Sequence, residues 1–257
     1  MQKKIDINSD MGEGFGNYKV GNDEEIMKHI TSANVACGYH AGDPLIMRKT
    51  VKLAKQHGVA IGAHVGLPDL MGFGRREMKI SVEEAKCYTI YQIGALKAFV
   101  EAVGMRLHHF KPHGAFWRIS RLDEDIARAV LQGVEEADPK LNLIYCPAPI
   151  SLFIYNKIAE ELGMKVIGEF YVDLQYAPDG KTVSPRVSAD LAVNPVKAAK
   201  RVIRYIDEGK VKAIDSVDIE LGEVGSLCVH GDSPVAIEVL RVLRSELKKV
   251  NIEVKAK

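Results

Sequence analysis

The chain has 257 residues, of which 47% are hydrophobic and 27% charged, and its formal net charge is +1. This composition is typical of a folded globular protein, and the small net charge excludes a broad basic surface for nucleic acid or a membrane. No apolar signal segment opens the sequence and no run reaches the roughly 18 to 20 apolar residues of a membrane span, so we expect a cytoplasmic protein without nucleic-acid or membrane partners.

Short apolar runs alternate along the chain with longer amphipathic runs. The short runs predict seven strands, at residues 4–7, 33–37, 59–63, 107–111, 141–146, 165–170 and 225–230. A helix is predicted after each strand, at residues 22–30, 44–58, 82–104, 122–137, 149–163, 193–209 and 233–249. Repeated strand–helix units predict an α/β fold with a parallel sheet covered by helices. No repeat or linker divides the chain, so we predict one domain over residues 1–257.

Side chains able to carry chemistry gather at the predicted carboxyl ends of these strands. They are Asn8, Asp10, Cys37, His40, Asp43, His64, Lys111, His113, Glu169, Asp173, His230 and Asp232. In parallel α/β folds the active site is built from this edge. A single histidine is more often structural, which is our interpretation of His29, His57, His108 and His109. Four histidines at four strand ends, however, favour one shared site.

Three kinds of chemistry remain open for these residues. Asp10, His40, His64 and His230 are possible metal ligands, although no HxH or HExxH pair is present, so the metal is left undecided. Cys37 and His40 have the spacing of a nucleophile and its base, but Cys37 ends a predicted buried strand, so we favour acid–base work by Asp and His.

Cations near the same strand ends could receive an anionic ligand. Lys111, Arg75, Arg76 and Arg186 could bind a carboxylate or a phosphate. Two apparent nucleotide motifs fail: "GEGFGN" has Asn17 at the third glycine of GxGxxG, and "DGKT" has Gln175 where a P-loop needs glycine. Any nucleotide would therefore bind in another way.

Six motifs identify a family. They are "DINSDMGEGFG" (6–16), "ANVACGYHAGDP" (33–44), "GAHVGLPDLMGFGRR" (62–76), "KPHGAF" (111–116), "YAPDGKTVSPR" (176–186) and "CVHGDSP" (228–234). With these motifs in family order over nearly the whole chain, the sequence resembles the LamB/YcsF family, which is associated with the A subunit of ATP-dependent 5-oxoprolinase. The resemblance implies a seven-stranded (β/α) TIM-like barrel of the glycoside hydrolase/deacetylase type.

The resemblance also implies an activity, cofactors and partners. The implied reaction cleaves the lactam of 5-oxo-L-proline to L-glutamate with hydrolysis of ATP, in a complex with subunits B and C. ATP is the implied cofactor, with a divalent metal such as Mg²⁺ accompanying it. The sequence predicts neither where ATP binds nor the oligomeric state.

Carried over residue by residue, the resemblance also implies the site. The expected catalytic residues are Asp10, His40, His64, Lys111, His113 and His230. The expected substrate-binding residues are Glu13, Asn34, Asp43, Arg75, Asp173, Arg186 and Asp232. Asp10 and the histidines would carry the acid–base roles, and Lys111 would stabilise developing negative charge.

The sequence departs from the family pattern at several motif positions, which are Val65, Leu67, Phe116, Trp117, Arg118 and Leu174. Leu174 stands where the family commonly has arginine, so an anionic substrate could be held differently here. Two rival functions therefore stay open: a stand-alone metal-dependent amidohydrolase or deacetylase, and a non-catalytic subunit that binds a ligand.

Overall fold

Seven parallel strands close into a barrel in the computed structural model, which describes residues 3–149, 154–183 and 194–257. The described residues contain twelve strands in all, of which β1 to β6 and β11 form the barrel. In chain order the twelve are β1 (Lys4–Met11), β2 (Ser32–Ala36), β3 (Ala60–Val65), β4 (His109–Pro112), β5 (Leu143–Pro147), β6 (Lys165–Tyr171), β7 (Gln175–Tyr176), β8 (Thr182–Val183), β9 (Lys210–Lys212), β10 (Asp218–Glu220), β11 (Ser226–Cys228) and β12 (Glu253–Val254). Strands β1 to β6 pair in sequence, and β11 pairs with both β6 and β1 to close the ring. The predicted seven-stranded α/β barrel is confirmed.

Helices cover the outside of the barrel. They are α1 (Asp23–Ile26), α2 (Pro44–His57), α3 (Val82–Ala102), α4 (Gly114–Ser120), α5 (Glu124–Ala137), α6 (Ile154–Glu161), α7 (Pro195–Glu208) and α8 (Ala236–Lys249). A capping box begins α3: the Ser81 hydroxyl accepts from the Glu84 amide, and the Glu84 carboxylate accepts from the Ser81 amide. The first part of the helix predicted at 149–163 lies outside the described residues. No helix in the described ranges is long and apolar enough to cross a membrane.

Several predicted boundaries are wrong in one instructive way. Strand β1 continues to Met11 and β3 to Val65, so Asp10 and His64 lie within strands and not in the loops that follow. Strand β4 also runs one residue past its predicted end, to Pro112, so Lys111 is not its last residue. The strands run further than the apolar runs because alternate side chains face the inside of the barrel, where this protein is polar.

The closed end of the barrel interior is built around one carboxylate. Asp6 accepts hydrogen bonds from the hydroxyls of Thr31 (2.6 Å), Ser32 (2.8 Å) and Ser226 (2.5 Å). Asp6, Ser32 and Ser226 are completely buried, and their polar atoms satisfy one another. Because β1 alternates, Asn8 and Asp10 lie on the same inner face one and two steps closer to the open end.

Candidate active site

Four side chains meet at the open, carboxyl end of the barrel and form what we call the histidine cluster: Glu13, His40, His64 and His113. One ligand atom from each lies within 4.8 Å of all the others. His40 Nε2 is 3.2 Å from Glu13 Oε1, and the rings of His40 and His113 stack with centroids 3.8 Å apart. All four are buried, so the cluster is an organised site and not a surface group of polar residues.

Backbone carbonyls fix the protons of two cluster histidines. His64 Nδ1 lies 3.0 Å from the carbonyl oxygen of Lys111, and His113 Nε2 lies 2.8 Å from that of Phe73. A carbonyl can only accept, so both of these ring nitrogens donate. The remaining nitrogens, His64 Nε2 and His113 Nδ1, face each other at 3.0 Å. In neutral rings both carry lone pairs, so a cation between them would relieve their repulsion.

Electrostatics favour a metal ion over a proton in that position. Burial lowers the pKa of His40 to about 3, and burial together with His40 and His64 holds the pKa of His113 well below its usual range. Burial, assisted by the charge of Asp10, raises the pKa of Glu13 to about 8. Three imidazoles and one carboxylate, with two rings oriented by carbonyls, fit a zinc-type divalent ion. Mg²⁺ prefers an all-oxygen set and fits less well.

Two motif glycines make room for His40. A Cβ atom at Gly66 would lie 2.5 Å from His40 Nδ1, and one at Gly74 would lie 2.5 Å from His40 Cβ. Gly74 also has a φ of 63°, a conformation that favours glycine. The glycines of the motif that follows β3 therefore let two backbone segments close over the ring.

Below the cluster, Lys111 is surrounded by acidic groups. Its Nζ lies 2.9 Å from Asp10 Oδ1, 3.3 Å from Glu169 Oε1 and 3.2 Å from Cys228 Sγ. Burial opposes the charge of Lys111, but its acidic neighbours hold its pKa well above the usual range. Burial likewise acts against ionised Asp10, yet the positive charge of Lys111 helps to keep the pKa of Asp10 well below its usual range. Asp10 is therefore a carboxylate whose Oδ2 lies 3.4 Å from His64 Nε2.

On the opposite side of the opening, His230 pairs with Asp173. His230 Nδ1 lies 2.9 Å from Asp173 Oδ1, and the same carboxylate accepts from the His230 amide at 3.0 Å. Burial alone would lower the pKa of His230, but Asp173 outweighs it and raises that pKa to about 9. His230 is therefore an imidazolium at neutral pH, which is the state of a general acid.

A cleft of about 620 Å³ joins these groups. Its lining includes Asp10, His64, Arg75, Lys111, Trp117, Arg118, Tyr171, Asp173, Leu174, Lys181, His230 and Asp232. Arg75 lies 3.5 Å from Asp232 and over the ring of Phe73, while Arg118 donates to the Arg75 carbonyl at 2.7 Å. The cleft thus combines acid–base groups at its base with cations along its wall.

Most residues predicted from the sequence meet here, but two belong to neither the cleft nor the histidine cluster. Asp43 caps α2, where its carboxylate accepts from the amides of Leu45, Ile46 and Gly16. Asn34 is buried beneath Asp10. Arg186, which was also predicted, lies outside the described residues.

The structure also shows the surroundings of the candidate nucleophile, Cys37, and of one departure from the family pattern, Leu174. Cys37 is buried, and burial raises its pKa to about 12, which disfavours a thiolate. Leu174 lines the cleft where the family commonly has arginine, and its carbonyl accepts from the guanidinium of Arg201.

Two residues of this region are missing from the predicted site. Glu169 lies at a predicted strand end without an assigned role, and it proves to be an ion-pair partner of Lys111. His109 is interpreted from the sequence as structural, yet it donates toward Asn34 inside the barrel. The available signal is position: His109 precedes Lys111 by two residues, so both face the same side of β4.

Fold and site together define a parallel (β/α) barrel protein with a buried acid–base centre and a candidate metal site at the carboxyl ends of its strands. The family model described as "LamB/YcsF family" matches residues 5–257, and the chain belongs to that family.

Similar proteins cover almost the whole chain. A protein of Thermococcus sibiricus, named as the A subunit of 5-oxoprolinase, is 51% identical over 251 residues, covering 98% of this chain and 96% of its own. A Campylobacter jejuni protein of the same name is 46% identical with the same coverage. The crystal structure of a lactam utilization protein from Thermus thermophilus aligns with a TM-score of 0.89 and 41% identity, covering 99% of this chain and 100% of that one.

Proposed function

We propose that this chain is the ring-opening hydrolase component of an ATP-dependent 5-oxoprolinase, which converts 5-oxo-L-proline to L-glutamate while ATP is hydrolysed to ADP and phosphate. We place it in the cytoplasm, in a complex with subunits B and C. The observation that carries the proposal is the histidine cluster, because two of its rings line a cleft that also contains a carboxylate and an imidazolium. Near full-length similarity to proteins named as the A subunit of 5-oxoprolinase supports the choice of reaction.

In this proposal the histidine cluster would hold a divalent ion through His40 Nε2, His64 Nε2, His113 Nδ1 and Glu13. When bound, such an ion supplies Lewis acidity toward water and the ring carbonyl. The carbonyls of Lys111 and Phe73 keep His64 and His113 in the tautomers that present lone pairs to it.

The protein groups divide the proton transfers between them. Asp10, an ionised carboxylate beside His64, accepts a proton from the attacking water. The water oxygen bonds to the ring carbonyl carbon, and the bond from that carbon to nitrogen breaks. His230 gives the leaving nitrogen its proton from Nε2, while Asp173 holds the ring by Nδ1. Lys111 keeps Asp10 ionised and adds positive charge near the negative charge that develops during ring opening.

The wall cations have a role that matches the substrate. 5-Oxo-L-proline carries a carboxylate next to its ring, and Arg75 lines the cleft at a half-buried position. We assign Arg75 to that carboxylate, with Asp232 holding the guanidinium in place. In the assembled complex the amide oxygen would attack the γ-phosphorus of ATP, with Mg²⁺, so that ADP leaves and the ring carbon becomes a better electrophile. Ring opening by the first water would then leave an acyl phosphate, which a second water hydrolyses to the side-chain carboxylate of glutamate and phosphate.

The test is co-expression with candidate subunits B and C, followed by measurement of 5-oxoproline consumed, glutamate formed and ADP released. The proposal expects the three amounts to be equal and the activity to need this chain. A complex in which Asp10→Asn retains normal ATP-dependent glutamate formation would contradict the assignment.

A stand-alone metal-dependent amidohydrolase is the second candidate, because the histidine cluster in itself requires no ATP. It predicts that the isolated, metal-loaded chain cleaves cyclic or acyl amides without ATP or partners, and that chelation abolishes this activity. Absence of such cleavage, with turnover in the complex, favours the ATP-coupled reaction.

A further inference from the structure

His109 is enclosed inside the barrel, beneath the candidate active site. Its side chain is completely buried, and its ring stacks on Tyr145 with centroids 4.2 Å apart and planes inclined by 14°. On the neighbouring strand the facing residue is Gly62, where any Cβ atom would collide with the ring. The ring is therefore held in one place by residues on both flanking strands.

The hydrogen bonds around Asn34 determine which way the His109 proton points. Asn34 Nδ2 lies 2.8 Å from both Asn8 Oδ1 and Asp10 Oδ1, so both of its hydrogens are used. The remaining atom, Asn34 Oδ1, is an acceptor, and His109 Nε2 lies 2.7 Å from it. His109 therefore donates from Nε2. Its Nδ1 lies 3.1 Å from His108 Nδ1, and because His108 Nε2 donates to the Lys257 carbonyl at 2.7 Å, the two Nδ1 atoms face each other as lone pairs in neutral rings.

This chain of bonds ends on the carboxylate that serves as base. Asp10 Oδ1 accepts from Asn34 and from Lys111, at 2.8 and 2.9 Å, which leaves Oδ2 directed toward His64. Without the His109 N–H group, the buried Asn34 Oδ1 would lose the hydrogen bond that His109 makes to it, and the carboxamide would lose one of the three bonds that fix its plane. The orientation of Asp10 thus depends on the His109 N–H group, which is two hydrogen bonds away.

We propose that His109 is a positioning residue, which fixes the Asn34 carboxamide and through it the catalytic carboxylate of Asp10. The inference rests on the proposed function, since it concerns the base assigned there. It gives a role to a buried histidine that touches neither the cleft nor the histidine cluster.

The kinetic test uses His109→Leu and His109→Gln in the assembled complex. Leucine removes the donor, whereas the glutamine side chain retains an N–H that can reach Asn34 Oδ1. We expect His109→Leu to lower kcat by about 10- to 100-fold with little change in KM, and His109→Gln to recover most of the loss. Leu131→Ala, a buried change in α5, is the control for instability: it should lower Tm without changing kcat.

A double-mutant cycle separates positioning from packing. If His109 acts through Asn34, adding His109→Leu to Asn34→Leu should lower kcat no further than Asn34→Leu alone. Additive losses, or a normal kcat in folded His109→Leu, would overturn the proposal. A loss in His109→Leu that glutamine does not recover would also count against it.

A spectroscopic measurement on the unaltered chain needs neither turnover nor a stable variant. Nitrogen-15 NMR should find His109 as the Nε2–H form, with a slowly exchanging side-chain NH₂ on Asn34. The Nδ1–H form would refute the positioning chain even if the complex is an active 5-oxoprolinase. Conversely, a complex without 5-oxoprolinase activity refutes the proposed function, and the Nε2–H result would still support the chain of bonds.

Discussion

The two sides of the cleft hold histidine in opposite states. In the histidine cluster, burial lowers the pKa of His40 to about 3 and that of His113 well below its usual range. Across the cleft, burial alone would lower the pKa of His230, but Asp173 outweighs it and raises that pKa to about 9. The difference lies in the partner: Glu13, with its own pKa raised to about 8, is not a dependable negative charge. One side is therefore suited to donate lone pairs, and the other to donate a proton.

Removal of a cluster ligand should have the largest effect. His64→Ala removes one metal-ligand nitrogen and one side chain that lines the cleft. We therefore expect loss of metal binding and a fall in kcat/KM on the order of 10³-fold or more. Metal content by elemental analysis and turnover of the complex measure the two effects. His57→Ala, at an exposed position on α2, is the matched control and should change neither. If His64→Ala kept its full metal content and normal turnover, the histidine cluster would not be the metal-binding side of the cleft.

Loss of the Asp173 charge, on the other side of the cleft, should lower the activity less than loss of a cluster ligand. Asp173→Asn removes the charge that keeps His230 protonated, and we expect kcat to fall by roughly 10²-fold. The proton donor is lost as pH rises through the pKa of His230, so the alkaline limb of the wild-type pH profile should lie near pH 9 and should move to lower pH in Asp173→Asn. An unchanged alkaline limb would show that His230 is not the acid.

The His230–Asp173 pair should also be visible in stability. Because the folded-state pKa of His230, about 9, is above its unfolded value near 6.5, its contribution is fully present below pH 6.5 and is lost as pH rises through about 9. His230→Gln should therefore cost at most about 3 kcal/mol at pH 6 and little at pH 10. Denaturant unfolding at the two pH values measures this. A cost that is equal at both would assign it to packing alone.

Much of this comparison was present in the sequence, and some of it was not. The strand–helix alternation predicted a parallel α/β sheet, and the family resemblance implied that it closes into a barrel. The positions of His64, Lys111 and His230 at strand ends predicted one shared site at the carboxyl edge of the strands. The extension of β1 through Asp10 was not predicted, because alternating polar residues resemble a strand end until Ser32 and Ser226 are known to face them. The facing lone pairs of His64 and His113 depend on hydrogen bonds to backbone carbonyls of distant segments, and no local sequence pattern predicts such contacts.

Asp43 shows that an aspartate just after a strand can serve in helix capping as well as in ligand binding. The sequence placed it among the substrate-binding residues, yet its Oδ1 accepts from two amides in the first turn of α2 and its Oδ2 from the Gly16 amide. Loss of such a cap costs about 1 kcal/mol, so Asp43→Ala should lower the free energy of unfolding by that amount and leave kcat/KM nearly unchanged. Asp43→Asn is the control, because asparagine caps helices equally well and should retain most of the stability. If Asp43→Ala instead lowers kcat/KM more than tenfold while stability is retained, Asp43 belongs with the cleft residues, and helix capping is not its main role.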